Sequence, residues 1–167
     1  MKFASYLITL CFLLLLNCAS REEKLEKTKE YVNQIKEALT NIKGESIVWT
    51  DSSMSSRSTY YIIDDKIKYI NEEQYTRTGH FVNLYYFNND KLVHINSRGM
   101  DYVNENDKLK KKASRVQIYF DDDEVLESII IENGVEVELN ENNKLFILDH
   151  SKKLMSLARE DLNKDNE

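Results

Sequence analysis

The chain has 167 residues, with 29 acidic against 23 basic side chains and a formal charge of -6. That balance excludes nucleic acid as the expected partner, because such binding rests on Lys and Arg contacts to phosphate. A hydrophobic content of 41% suits one domain with its own core, and no internal repeat of solenoid length is visible.

The N-terminus opens with Lys2 and the free amine, followed by a nearly unbroken apolar run from Tyr6 to Leu16. A bilayer-spanning helix needs about 20 apolar residues, so this run is too short. Its length fits the apolar region of a secretory signal peptide. Leu15-Leu16-Asn17 lacks the small residues that ordinary signal peptidase requires. The stretch instead resembles a lipobox, with Leu15 three places before Cys18, and Leu16 and Asn17 where the commoner box has small residues. In bacterial lipoproteins of that kind the cysteine is diacylated and the chain is cut just before it. The resemblance therefore implies a signal peptide over 1–17, a lipid anchor on Cys18 and a single mature domain over 18–167. Loss of Lys2 with the leader takes the charge from -6 to -7. Cys11 leaves as well. Cys18 becomes a thioether, and no disulfide, Cys-ligated metal site or thiol nucleophile remains. Ala19 carries no acidic retention signal, which agrees with an outer-membrane address.

Downstream, Ser20 and Glu23 have the spacing of a capping box. Leu25, Thr28, Val32, Ile35, Leu39 and Ile42 recur at three and four residues, which predicts a helix with one apolar face, ended by Gly44. Eight short β segments follow: Glu45–Thr50, Ser58–Ile63, Lys66–Ile70, Phe81–Phe87, Lys91–Asn96, Arg115–Phe120, Val125–Ile131 and Val135–Leu139. Turn residues separate several of them, at Asp64-Asp65, Asn88-Asn89-Asp90, Asp121-Asp122-Asp123 and Asn133-Gly134. Segments so close in sequence must pair antiparallel. For the last hairpin, a three-residue loop Glu132-Asn133-Gly134 sets Ile131 against Val135 and Ile129 against Val137. A two-residue turn would oppose those isoleucines to Glu136 and Glu138, so apolar matching selects the longer loop. Serines 52, 53, 55, 56 and 58 read as a turn, and Ser97–Ser114 as a long polar loop. Asn140 is placed to cap a C-terminal helix of about 22 residues, on whose apolar stripe Leu145 and Phe146 fit poorly. A short strand at Lys144–Leu148 is the alternative there. The expected class is α+β: an amphipathic N-terminal helix, an antiparallel meander of about seven to eight strands and a C-terminal helix.

"YYFNNDKLVHI" and "RVQIYFDDDEVLESI", ahead of "NGVEVELN" and a charged terminal helix, resemble small uncharacterised bacterial lipoproteins built as helix, hairpin meander and helix. The resemblance covers most of residues 18–163. It implies that fold and an address at the cell envelope, and brings no catalytic residues with it.

Candidate chemistry is sparse. Asp121, Asp122, Asp123, Glu124 and Glu132 invite a calcium loop. Counted from Asp121, the fifth and sixth places are Val125 and Leu126, where an EF-hand needs Asp or Asn and then Gly. A charged turn is the better reading. His80, His94 and His150 lack metal-ligand spacing, and no nucleophile elbow or phosphate-binding glycine loop occurs. His94 alternates within a strand and is expected to partner a buried polar group. No cofactor is expected. Lys108, Lys110, Lys111, Lys112 and Arg115 cluster at the end of the polar loop, and nine acids without one base lie between Asp121 and Glu141. Neutralisation across neighbouring strands is the simple account. The functional account makes the basic cluster an interaction loop for an envelope protein, glycan or lipid. The expectation is thus a lipid-anchored binding or interaction module. An exported enzyme with dispersed acids and a structural envelope lipoprotein are the alternatives.

Overall fold

In a computed structural model of the chain, the backbone is described for residues 2–51, 54–105 and 108–164, and side chains for 20–45, 55–104 and 108–164. Helix α1 (Lys2–Ala38) leads through a 3-10 turn at Leu39–Asn41 into eight strands. These are β1 (Glu45–Asp51), β2 (Met54–Ile63), β3 (Lys66–Tyr75), β4 (Gly79–Asn88), β5 (Lys91–Glu105), β6 (Lys108–Asp121), β7 (Glu124–Glu132) and β8 (Val135–Val137). Helix α2 (Glu141–Lys164) closes the chain. The strands form one antiparallel sheet in the order β1-β2-β3-β4-β5-β6-β7-β8, so the α+β meander expected from the sequence is the fold.

Two-residue turns define four of the hairpins. Asp64-Asp65, Asn89-Asp90, Asp122-Asp123 and Asn133-Gly134 all have positive φ at both positions, between 47° and 84°. That conformation matches the twist of flanking strands and favours Asn, Asp and Gly. Three of the hairpins carry a register shift one step before the turn, at Tyr61/Ile62, Tyr86/Phe87 and Tyr119/Phe120. Each places a tyrosine at the same height on the same face of the sheet.

That face carries α1. Tyr61, Tyr69, Tyr86, His94 and Tyr119 form a continuous row of rings across β2 to β6, with neighbouring centroids 4.1–5.3 Å apart. The helix lies over this row. Val32 and Ile35 are buried against it with Tyr69, Tyr86, Tyr119 and Leu126, and Leu25 and Leu39 pack alongside. Lys29 and Lys36 sit over the Tyr119 and Tyr86 rings, a favourable placement of cations on aromatic faces. Near the middle of the helix, the Arg21 guanidinium donates to the carbonyls of Val125 and Leu126. The opposite face carries α2, where Leu148, Leu154, Met155 and Ala158 bury Tyr60, Ile70, Tyr85, Phe87, Ile95, Ile118 and Phe120. The result is a helix–sheet–helix sandwich with two separate cores.

Several expectations need correction. Helix α1 is continuous through Ser20, so Ser20 and Glu23 cap nothing; Glu23 pairs with Lys27 instead. The helix gives way at Ala38 to the 3-10 turn. Gly44 has no left-handed conformation; it is small because a Cβ there would meet Thr59 and Tyr61 at 2.6 and 2.7 Å. Ser55, Ser56 and Ser58 belong to β2, and Ser56 and Ser58 are fully buried; Ser52 and Ser53 fall outside the described residues. The β7–β8 hairpin takes the two-residue turn, pairing Ile131 with Glu136 and Ile130 with Val137. Asn-Gly turn chemistry outweighs apolar matching because Ile129 and Ile131 point to a half of the sheet that no helix covers, where Ile129 is 37% exposed. Finally, Ser97–Ser114 is not a loop. It is the outer half of the β5–β6 hairpin, paired residue by residue from Ser97↔Val116 to Glu105↔Lys108. Around α2 the expectations hold: Asn140 Oδ1 accepts from the Asn143 amide at 2.8 Å, and 144–148 is helical.

Candidate functional site

Two regions carry chemistry-bearing side chains, one buried and one open. The buried one centres on Glu72, which faces α2 from β3 and is fully enclosed. Alternation along the strands brings polar residues to it from three sides. Ser56 of β2 donates to Oε1 at 2.9 Å. Gln74, Asn83 and Tyr85 donate to Oε2 at 3.0, 3.2 and 3.3 Å. His150 of α2 closes the cluster with Nε2 at 3.1 and 3.0 Å from the two oxygens, which requires the proton on that nitrogen. Ser97 extends the network by donating to Asn83 Oδ1 at 2.5 Å. Phe146 stacks on the His150 ring at 5.8 Å, which accounts for a large side chain lying off the apolar stripe and 66% exposed.

Burial pushes the Glu72 carboxyl up, but the hydrogen bond and charge of His150, with the bonds from Ser56 and Asn83, outweigh it and hold the group below its ordinary value of 4.5. Burial, reinforced by Glu72, drives the Tyr85 hydroxyl well above 10. Glu72 is therefore an ionised carboxylate whose lone pairs are all engaged, without contact to solvent. Such a group anchors α2 to the sheet. It offers no free oxygen to a substrate proton.

The open region holds the residues singled out as an interaction loop. Lys108, Lys110, Lys111, Lys112 and Arg115 all lie on β6 and are exposed, but pairing with β5 divides them between the two faces. Lys111 and Arg115 point to the α1 side, opposite Tyr102 and Arg98. Lys108, Lys110 and Lys112 point to the other side, opposite Glu105, Val103 and Asp101. The acids at the β6–β7 turn take other partners. Asp121 pairs with Lys24, Asp122 with Lys91 and Asp123 with Lys152, and Glu127 with Lys29. The turn is thus tied to both helices, and these acids are neutralised from the helices and β5. His94 is buried in the ring row, its Nδ1 2.9 Å from the Ile118 carbonyl oxygen and its Nε2 without a partner.

A cleft of about 1190 Å³ opens at the β7 edge between the two helices, lined by Arg21, Lys24, Glu124, Glu136, Glu138 and Lys144 among others. Its charges are of both signs, and no single ligand chemistry fits it. Among the described residues no three or more His, Cys, Asp or Glu side chains converge as metal ligands, and no helix is long and apolar enough to cross a membrane. The side chain of Cys18 falls outside the described residues. No protein-family model, curated protein or solved structure matches the chain.

Sequence reasoning missed the Glu72 cluster. Its members spread from Ser56 to His150, and no short motif contains more than two of them. The one available signal was alternation: Ser56 and Ser58, Glu72 and Gln74, and Asn83 with Tyr85 recur at spacing two, the period that puts side chains on one face of a strand.

Proposed function

We propose that this protein is an exported bacterial lipoprotein, tied to the cell envelope through lipid on Cys18, whose folded part is a non-catalytic binding or interaction module. The observation that carries the module reading is the uncovered half of the sheet on the α1 side. Three arginines (Arg57, Arg98, Arg115) stand there in one cross-strand row with Glu73 and the half-buried Val82 and Ile131. Arginine beside partly exposed apolar side chains is the composition of a protein interface core. The anchoring reading rests on the sequence from Tyr6 to Cys18 and on the Arg21 contacts to β7, which begin three residues after the proposed lipid site and leave almost no flexible tether.

An exported enzyme with dispersed acids is the alternative. It would need a carboxylate that meets substrate, and the buried carboxylate found here is saturated by its neighbours. The lipoprotein reading is tested by metabolic labelling with a fatty-acid probe. The wild-type protein should take up label and lose residues 1–17, and Cys18→Ala should abolish both. An unlabelled wild type, or a mature terminus elsewhere, overturns it.

A further inference from the structure

We infer that the α1 side of the sheet is a self-complementary surface that docks a second copy of this chain. Helix α1 covers only the half of that face nearest the turns. Its course is set by contacts to β7 at Arg21, to Tyr119 of β6 at Lys29 and to Tyr86 of β4 at Lys36, so it runs across the strands. Beside it no helix covers the other half of the face. The first row next to the helix is Thr59, Asn71, Leu84, Asn96, Gln117 and Ile129, of which Leu84 reaches the α1-side core, and the second is Arg57, Glu73, Val82, Arg98, Arg115 and Ile131. Rows lie about 6.7 Å apart, so two of them leave a trough about as wide as a helix. A ridge and a trough of equal width, side by side on one face, are the shape that a two-fold axis can close.

Charge follows shape. The outward stripe of α1 carries Glu23, Glu26, Glu30 and Glu37. Glu23 is neutralised by Lys27, and Glu26 is 3.8 Å from Lys29. The trough side is basic. On the β5–β6 hairpin, the positions facing α1's side are Arg98, Met100, Tyr102 and Asn104, opposite Leu109, Lys111, Ala113 and Arg115, with three cations and no acid. The acids of that hairpin, Asp101 and Glu105, stand at positions on the other side. Arg98 and Arg115 oppose each other directly and are both exposed, an arrangement that costs energy unless an anion lies between them.

Rotation about an axis parallel to α1, lying in the plane of this face, seats each helix in the other copy's trough. It preserves height along the helix. Lys29 marks β6 and Lys36 marks β4, so at about 1.5 Å per helical residue Glu30 comes level with the partner's β6, beside Arg115 and one strand from Arg98, and Glu26 comes level with β7, one strand from Arg115. The same rotation leaves the two α1 helices parallel with both N-termini on one side. Two chains anchored as proposed above could then share one membrane, although the pairing itself needs only shape and charge.

The test is the mass of the full chain in nonionic detergent, by light scattering across a salt series. The wild type should dimerise at low salt and weaken as salt rises. The pair Arg98→Glu with Arg115→Glu should raise the dimer dissociation constant by tenfold or more, on the scale expected for interfacial charge pairs, and Glu26→Arg with Glu30→Arg should do the same. Mixing the two charge-reversed proteins should restore a heterodimer of wild-type affinity, since both contacts are then again opposite in charge. A wild type that stays monomeric, or a dimer that ignores both reversals, overturns the inference. So does a failure of the mixture to recover while circular dichroism shows both variants folded. Fatty-acid labelling of Cys18 is independent of these results, so the anchoring reading and this one fail separately.

Discussion

The two faces of the sheet solve the same problem in opposite ways. Each buries one ionisable side chain under a helix. On the α2 side it is Glu72, kept charged by five side-chain donors. On the α1 side it is His94, kept neutral, with one ring nitrogen bonded and the other unpartnered. A buried charge is tolerable only when its partners replace water. A buried neutral imidazole needs fewer partners, but it is vulnerable to acid. The faces should therefore fail under different conditions.

The largest loss should follow from breaking the charged cluster. His150→Ala leaves the Glu72 carboxylate buried without the donor that closes over both its oxygens and should destabilise the domain by about 3 to 5 kcal/mol, read from urea midpoints. Adding Glu72→Gln should recover part of that loss, because an amide is less costly to bury than an unpaired carboxylate. If the double variant is no more stable than His150→Ala alone, the cluster is not held as described.

Acid should act next, and on the other face first. Burial pulls the His94 ring down from 6.5 to about 4; the Ile118 carbonyl works against this and the Lys36 charge with it. The unfolded chain takes up a proton below about 6.5 that the folded chain refuses until about 4. Stability is thus lost as pH falls through that window, by about 3 kcal/mol at most. Lys29 and Lys36 from α1 and the Tyr86 and Tyr119 rings surround the site, and none supplies a negative charge to stabilise an imidazolium. His94→Phe should flatten the pH dependence between 6.5 and 4. The contribution of Glu72 has the opposite origin: its lowered carboxyl stabilises the fold above about 4.5 and is lost only below it. Hydrogen exchange should accordingly show α1 loosening before α2 on acidification. Simultaneous loosening would remove the distinction between the faces.

The smallest effect concerns the exposed tip of the β7–β8 hairpin. Gly134 has φ +84° with nothing within 4 Å of where a Cβ would stand, so only backbone strain opposes substitution. Gly134→Val should cost about 1 to 2 kcal/mol and Gly134→Asn less, both measured by thermal unfolding.

What the sequence revealed divides along the same physical lines. Strands and turns were legible because their signals are local: all eight strands and the four turns recur where aromatic and β-branched runs meet Asn, Asp or Gly. Strand ends were not. β3, β5 and β6 run five to nine residues past the expected limits, through Asn71–Tyr75, Ser97–Glu105 and Lys108–Ser114; beyond the buried Glu72, a hairpin arm can be held by its ladder without burying either face. The Asn133-Gly134 register was misjudged by assuming that Ile129 and Ile131 face a core, when the deeply buried residue is Ile130. The Glu72 cluster was invisible because its closing contact spans 78 residues. The cationic residues 108–115 were seen, but only pairing shows which of them share a side.

Strand order equal to chain order has a kinetic meaning. Each strand's partner is its immediate successor, so the ladder can grow from the N-terminus as the chain lengthens, through closures that span few residues. The chain has no proline, and no prolyl isomerisation delays any step. His150, however, arrives 78 residues after Glu72. Until α2 docks, a nearly assembled sheet carries a carboxylate that its strand donors hold but that stands open to water on the side His150 will close. The unfinished domain is therefore held open at that face, and the last helix to be made is the one that lets the core dry.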